Sequence, residues 1–162
     1  MFSIRKATSS DIPLIRELTF KVWPQTYKAL LTPEQIEYML GLMYSESSLA
    51  DQMEGGILFI VINSGQVPVG FAAYGETGLR LWKLHKLYVL QSQQGKGAGR
   101  FVIDHIIAEI KKDSAEALQL QVKRDNPAQH FYKKLGFEII EEKDFDIGNG
   151  YLMKDYIMEK KL

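Results

Sequence analysis

The chain has 162 residues, of which 46% are hydrophobic and 25% charged, values typical of one globular domain with a sizeable core. Twenty lysines and arginines balance twenty aspartates and glutamates, so no global field attracts nucleic acid or an anionic membrane. The absence of cysteine excludes disulfides, thiolate zinc sites and a cysteine nucleophile.

The first third of the chain predicts a strand followed by three helices. Residues 2–7 are typical of a short strand, and residues 8–11 offer capping oxygens for a helix with apolar residues at helical spacing. A cap at Thr32, a proline after it and Gln35 at the capping-box position begin a second helix that ends near Met43. A short third helix is expected at residues 47–53.

The rest of the chain predicts six strands and two helices. A Ser-Gly-Gln turn joins the first two strands as a hairpin, and Gly136 closes the last helix. The order, an antiparallel meander leading into a strand–helix–strand crossover, predicts a mixed sheet. The strands are expected at residues 57–63, 67–74, 79–90, 117–122, 137–140 and 152–158, and the helices at residues 102–110 and 126–135.

Three glycines at alternate positions follow the long predicted strand, in the segment QSQQGKGAGR. A glycine-rich loop before a helix favours an anion site, because first-turn N–H groups lack intrahelical partners. The Walker A pattern does not fit, and the dinucleotide fingerprint fails because Arg100 or Val102 takes its third glycine position. A third pattern, Gln/Arg-x-x-Gly-x-Gly, is matched by Gln94, Gly97 and Gly99.

With this loop the sequence resembles the GNAT superfamily of acetyl-CoA-dependent N-acyltransferases. The segment NPAQHFYKKLGF, residues 126–137, matches a second motif of that family at the expected distance. The resemblance spans residues 2–158 and implies an α/β (α+β) GNAT fold, one domain over residues 1–162. That fold has a mixed, mostly antiparallel twisted sheet of six to seven strands with helices on both faces. The N-terminal helices and the C-terminal end also resemble a bacterial subgroup that includes spermidine/spermine N-acetyltransferases.

The resemblance implies an acetyl-CoA site along the fourth strand and the glycine loop, with no metal. In the family the loop amides hold the pyrophosphate, the strand pairs with the pantetheine arm, and the N–H at Val89 holds the thioester carbonyl. The expected cofactor-binding residues are Leu87, Tyr88, Val89, Gln94, Gly95, Lys96, Gly97, Ala98, Gly99, Arg100, Asn126 and Lys134.

Acetyl transfer to an amine needs a neutral amine, a donor to the developing oxyanion and a proton for the leaving thiolate. Tyr132 matches the family's general acid. A phenol of pKa near ~10 protonates a thiolate whose conjugate acid has a pKa near ~8.5 only slightly uphill. Without a cysteine nucleophile, we expect direct transfer in a ternary complex.

The general base stays open at this stage. Lys83 stands where many family members carry glutamate, so a glutamate base on this strand is in doubt. His85 is the first candidate, because imidazole titrates near ~6.5, and in a regular strand alternate residues from Lys83 to Val89 share one face. Glu76 and a chain of waters are the alternatives.

The acceptor is expected to be a small polyamine-like amine, bound by carboxylates and aromatic rings. A protein N-terminus or lysine is an alternative acceptor, and a non-catalytic acetyl-CoA sensor is the alternative to an enzyme. The sequence shows no signal peptide or bilayer-spanning segment, so we expect a cytoplasmic protein without nucleic-acid or membrane partners; a homodimer stays open. Candidate acceptor-binding residues are Trp23, Tyr27, Glu34, Tyr38, Tyr74, Glu76 and Asp146.

Overall fold

The computed structural model describes residues 1–162, which form seven β-strands and five α-helices. The strands are β1 (Phe2–Lys6), β2 (Leu58–Ser64), β3 (Val67–Gly78), β4 (Leu81–Val89), β5 (Ala117–Lys123), β6 (Glu138–Gly148) and β7 (Tyr151–Lys161). The helices are α1 (Ile12–Tyr27), α2 (Pro33–Tyr44), α3 (Glu46–Glu54), α4 (Ala98–Lys111) and α5 (Ala128–Lys134).

All seven strands belong to one sheet, in the order β1-β2-β3-β4-β5-β7-β6. Neighbouring strands are antiparallel except β4 and β5, which are parallel because α4 carries the chain back between them. The predicted mixed, mostly antiparallel sheet with helices on both faces is confirmed.

Alternating side chains of the central strands supply two cores, one on each face of the sheet. Phe59 and Ala73 pack with residues of α1, α2 and α3, whereas Ile60 and Ala72 pack with residues of α4. The middle of the sheet is therefore covered on both sides, and a ligand can reach it only where neighbouring strands separate.

The predicted helix starts form as capping chemistry requires. The Gln35 N–H donates to Thr32 Oγ1 at 3.2 Å, with proline at the first position of α2. Before α1, the Asp11 carboxylate accepts from the Thr8 N–H at 2.8 Å and pairs with Arg5 at 2.8 Å. These local hydrogen bonds set the direction in which α1 follows β1.

The C-terminal hairpin is longer than the sequence predicts, since β6 and β7 extend well beyond residues 137–140 and 152–158. Strand β6 is an exposed edge strand, and residues 141–144 are all charged, so no apolar alternation marks it. None of the helices combines the length and the apolar character needed to cross a membrane.

Candidate active site

The parallel strands β4 and β5 pair only at their beginnings. Residues 81–84 pair with residues 117–120, after which β4 pairs with β3 alone and β5 with β7 alone. The Leu90 N–H donates to the Val69 carbonyl at 2.8 Å. Because adjacent residues of a strand direct their backbone groups to opposite sides, the Val89 N–H points away from β3 and into the gap. The gap therefore offers free backbone groups to an extended ligand.

The pairing of β4 with β3 slips at His85, which has no partner on β3 and forms a β-bulge. The prediction that alternate residues from Lys83 to Val89 share one face is therefore wrong. Leu84 and Leu87, three positions apart, both pack in the core that includes α4. The extra residue turns Lys86 to the opposite face of the sheet, where its ammonium lies over the ring of Tyr44.

The glycine loop leaves a run of backbone amides without a partner. From Gly95 to Arg100 no N–H donates to any protein acceptor, and the first helical bond of α4 runs from the Phe101 N–H to the Gly97 carbonyl at 3.0 Å. Gly97 has a φ of 86°, a left-handed conformation that favours glycine and turns the loop into the helix. Gln94 ties the loop to the strand by donating to the Val89 carbonyl at 3.3 Å. Free N–H groups at the start of a helix have the geometry that binds anions in proteins.

The third glycine of the loop has a separate packing role. A Cβ added at Gly99 would lie 2.8 Å from Cζ of Phe131, closer than real Cβ contacts come. The missing side chain therefore lets the first turn of α4 lie directly against α5. This contact joins the two sequence motifs, the glycine loop and the segment at residues 126–137, into one site.

A cavity of about 930 Å³ runs from the glycine loop, through the gap between β4 and β5, to α1 and α2. Its wall includes backbone or side chains from both motifs and from the aromatic residues of α1. The predicted site residues that line it are Trp23, Tyr27, His85, Leu87, Tyr88, Val89, Gln94, Gly95, Gly97, Ala98, Gly99, Arg100, Asn126 and Tyr132.

The remaining candidates lie outside the cavity wall. Glu34 lies in the first turn of α2 and Glu76 near the far end of β3, and both side chains face solvent. Lys96 and Lys134 are also exposed, and their contact with phosphates stays a prediction. Glu34 does not reach the cavity although Gln35 and Met39 of the same helix line it, because its side chain lies on the solvent-exposed face of α2. Glu76 does not reach it because no residue of β3 lines the cavity. Tyr38, Tyr74 and Asp146 do not line it either.

Tyr132 lies on α5 with its ring packed edge-on against Phe131 and Phe137, at centroid distances of 5.3 and 5.8 Å. Burial raises the pKa of Tyr132 to about 12. The hydroxyl therefore stays protonated at any working pH and remains a donor. Proton transfer from Tyr132 to a thiolate is more uphill than the sequence alone indicates, because the ordinary phenol pKa of ~10 does not apply.

His85 lies in a positively charged part of the cavity. Burial, together with the charges of Lys83 and Lys86, lowers the pKa of His85 to about 4. Burial and the charge of Lys83 also lower the pKa of Lys86 to about 8. His85 is therefore a neutral imidazole at neutral pH, free to accept a proton but weakly basic.

Sequence reasoning missed the polar network on the β5 side of the cavity. The Lys83 ammonium donates to Gln121 Oε1, and Gln121 Nε2 donates to the Asp155 carboxylate at 3.3 Å. Asp155 is only 2% exposed, and burial raises its pKa. Asp155 alternates with Met153 and Ile157 along β7, so the sequence already places a carboxylate on an apolar face of that strand. No group of three or more His, Asp or Glu side chains is placed to hold a metal ion.

Aromatic rings close the end of the cavity under α1 and α2. The hydroxyls of Tyr27 and Tyr88 hydrogen-bond at 3.0 Å, and Trp23 stacks at a tilt on Tyr27 with centroids 4.5 Å apart. The indole N–H of Trp23 is buried and has no acceptor in the protein. Tyr44 packs edge-on against Trp23 in the same wall, with ring centroids 5.4 Å apart. Packed aromatic rings therefore form the wall of the cavity at this end.

The sequence and the fold match known acetyltransferases. The profile of the acetyltransferase (GNAT) domain family matches residues 28–160, most of the chain, so the chain belongs to that family. It is an N-acetyltransferase, as the resemblance implied. A probable N-acetyltransferase of Mycobacterium tuberculosis is 26% identical over 141 residues, which cover 84% of this chain and 79% of that protein.

Two further relatives bear on the site. The ribosomal protein bS18-alanine N-acetyltransferase of Haemophilus influenzae is 30% identical over 94 residues, 58% of this chain and 60% of that protein. The crystal structure of PaiA N-acetyltransferase from Thermoplasma acidophilum, in complex with coenzyme A, superposes with a TM-score of 0.83. It is 26% identical, and the match covers 100% of this chain and 99% of that one.

Proposed function

We propose that this N-acetyltransferase moves the acetyl group of acetyl-CoA directly to a primary α-amine, such as the N-terminus of a peptide or protein. The observation that carries the proposal is the continuity of three features in one cavity: the partnerless amides from Gly95 to Arg100, the gap between β4 and β5, and the aromatic end under α1. The coenzyme A complex of the Thermoplasma relative supports the same donor.

The residues of the cavity suit the successive parts of acetyl-CoA. The amides from Gly95 to Arg100 suit the pyrophosphate, because they supply several donors and the positive end of α4. The free edge of β4 from Leu87 to Val89 suits the amide groups of the pantetheine arm. The Val89 N–H, directed into the gap, is the donor for the acetyl oxygen as negative charge develops on it. Asn126 orders the next segment, since its Oδ1 accepts from the Ala128 N–H at 2.9 Å.

The transfer is balanced without an acyl-enzyme. The amine nitrogen bonds to the acetyl carbon as the carbon–sulfur bond breaks, one proton leaves the amine, and the sulfur receives one. Tyr132 is the donor to sulfur, and it recovers its proton from solvent. The amine proton passes to His85 or to water, and the low pKa of His85 makes it a short-lived carrier.

The weak basicity of His85 favours acceptors whose amine is already neutral at the working pH. At pH 7.5 about a third of peptide α-amines of pKa ~7.8 are neutral, whereas about one in a thousand alkyl amines of pKa ~10.4 is. A site without a strong base therefore favours α-amines. The polyamine predicted from the sequence is a poorer match, because its amines are strongly basic and Lys83 and Lys86 would repel it. The relative that acts on ribosomal protein bS18 alanine supports an N-terminal acceptor.

Thiol release from acetyl-CoA tests the proposal, with tripeptides of free N-terminus, the same peptides blocked at the N-terminus but carrying a lysine, and spermidine. We expect kcat/KM to be highest for the free N-termini. Spermidine or lysine turning over faster would contradict the acceptor class, and absence of turnover with every amine would contradict the transfer itself.

The variant Tyr132→Phe separates chemistry from binding. Removal of the general acid should lower kcat about 10²- to 10⁴-fold. Coenzyme A affinity by calorimetry should change little, because the hydroxyl meets only the sulfur and the loop amides from Gly95 to Arg100 still hold the pyrophosphate. A normal kcat would remove Tyr132 from the mechanism.

A further inference from the structure

Lys86 is a buried cation on the cavity wall without a counterion. The residue is 8% exposed, and its ammonium makes no salt bridge or hydrogen bond to any side chain. Its one polar contact is with the face of the Tyr44 ring, whose centroid lies 4.7 Å from Nζ. Such a contact offsets only part of the desolvation cost of a buried ammonium.

The other charges of the cavity do not compensate Lys86. Lys83 adds a second cation on the same side of β4, and its acceptor is the neutral amide of Gln121. Lys123 is already paired with Asp125 at 3.2 Å. Asp155 is the one carboxylate on the wall, and it is hydrogen-bonded to Gln121 and not to a lysine. The acceptor end of the cavity therefore has an excess of positive charge.

We infer that the acceptor carries a carboxylate close to its amine, and that Lys86 binds this carboxylate. This inference rests on the proposed function and narrows its substrate class. A carboxylate on the acceptor provides Lys86 with the counterion that the protein itself does not provide. The same carboxylate offsets the repulsion between Lys83 and Lys86. The ring of Tyr44, which packs on Trp23, contacts the Lys86 ammonium, so the wall sets where an anion can meet it. The carboxylate belongs either to a small amino acid or to an acidic residue at a peptide N-terminus.

Matched acceptors that differ only in charge test the inference. The first arm compares tripeptide amides with glutamate or glutamine at the first or second position. The second arm compares glutamic acid α-amide with glutaminamide, single residues that carry an α-amine and differ only in the side-chain charge, and thus separates a small acceptor from a peptide. We expect the carboxylate member of at least one pair to have a kcat/KM at least ten times that of its amide, mainly through KM.

Variants of Lys86 test whether this lysine causes the preference for a carboxylate. Lys86→Met should abolish the preference while turnover of the amide acceptors persists, and Lys86→Arg should retain it, since arginine keeps the charge. Lys21→Met is the matched control: this exposed lysine of α1 pairs with Glu17 at 3.1 Å, outside the cavity. Coenzyme A binding by calorimetry verifies that each variant is folded. If Lys86→Met does not fold, the ratio of kcat/KM for acid and amide acceptors in the wild type and in Lys86→Arg still tests the inference.

Four results would overturn the inference. Equal kcat/KM for acid and amide in every pair, or a preference that survives in Lys86→Met, excludes an anion contact at Lys86. An equal loss of kcat toward both members in Lys86→Met and Lys86→Arg makes Lys86 a proton acceptor instead. Absence of turnover with every amine overturns the proposed transfer, and the inference with it.

Discussion

The substitution Gly97→Ala adds one methyl group to the glycine loop and tests whether the loop binds an anion. Its effect on coenzyme A binding can be compared with its effect on stability. Gly97 has a φ of 86°, and a Cβ there would meet no protein atom within 4 Å. The Cβ would therefore project into the open space beside the partnerless amides. We expect Gly97→Ala to lower the free energy of unfolding by about 1–2 kcal/mol, the cost of a left-handed non-glycine residue.

The effect on coenzyme A should be larger than this strain. A hydrogen bond to a charged group contributes about 1.5–3 kcal/mol, so the loss of even one amide–phosphate bond weakens binding by at least about tenfold. Calorimetry with coenzyme A measures this change. Acetylpantetheine, which lacks the pyrophosphate, should keep its KM as an acetyl donor.

The control is Gly65→Ala, in the hairpin between β2 and β3. Gly65 also has a positive φ, 60°, and open space around its Cβ, but it does not line the cavity. Its variant should lose similar stability in urea unfolding and bind coenzyme A normally. Unchanged affinity in Gly97→Ala, or an equal loss of affinity in Gly65→Ala, would refute the amide cradle.

Three further predictions concern the packing of Gly99 and the titration of His85. Gly99→Val should destabilise the fold by about 1–3 kcal/mol, because its Cβ would lie 2.8 Å from the Phe131 ring; urea unfolding should show partial rescue by Phe131→Leu, and additive losses would rule out the contact. His85 has a folded pKa of about 4, below its unfolded value of ~6.5, so only the unfolded state gains a proton between these values. Stability should therefore fall as the pH drops from about 6.5 to 4, and His85→Gln should lose less stability over that window than the wild type. The amine sets an acidic limb of kcat/KM near its own pKa of ~7.8. If His85 accepts the amine proton, a further fall is expected near pH 4 that His85→Gln removes. A profile unchanged in His85→Gln excludes His85 as the acceptor of that proton.

Local patterns were sufficient for most of the fold and for the donor end of the cavity. The cap at Thr32, the helical spacing of α4 and the hairpin at Gly65 depend on neighbours in sequence, and each formed as expected. The glycine loop was readable for the same reason, because left-handed turns and free first-turn amides are properties of a short segment.

The acceptor end was not readable, because it depends on where distant segments meet. The sequence favoured carboxylates at Glu34 and Glu76, and neither reaches the cavity. The bulge at His85 shifts the register of β4 by one residue, and a shift of one residue exchanges the two faces of a strand. No pattern around Lys86 indicates that bulge, so a lysine that reads as an ordinary strand cation becomes a buried one.

The sequence by itself determined the class of enzyme, since the glycine loop and the segment at residues 126–137 are short motifs whose turn geometry and side chains are set by neighbours in sequence. Only the tertiary structure decided the charge of the acceptor pocket. Burial and the proximity of Lys83 and Lys86 set the proton affinities of the groups there, and both are properties of the packed molecule.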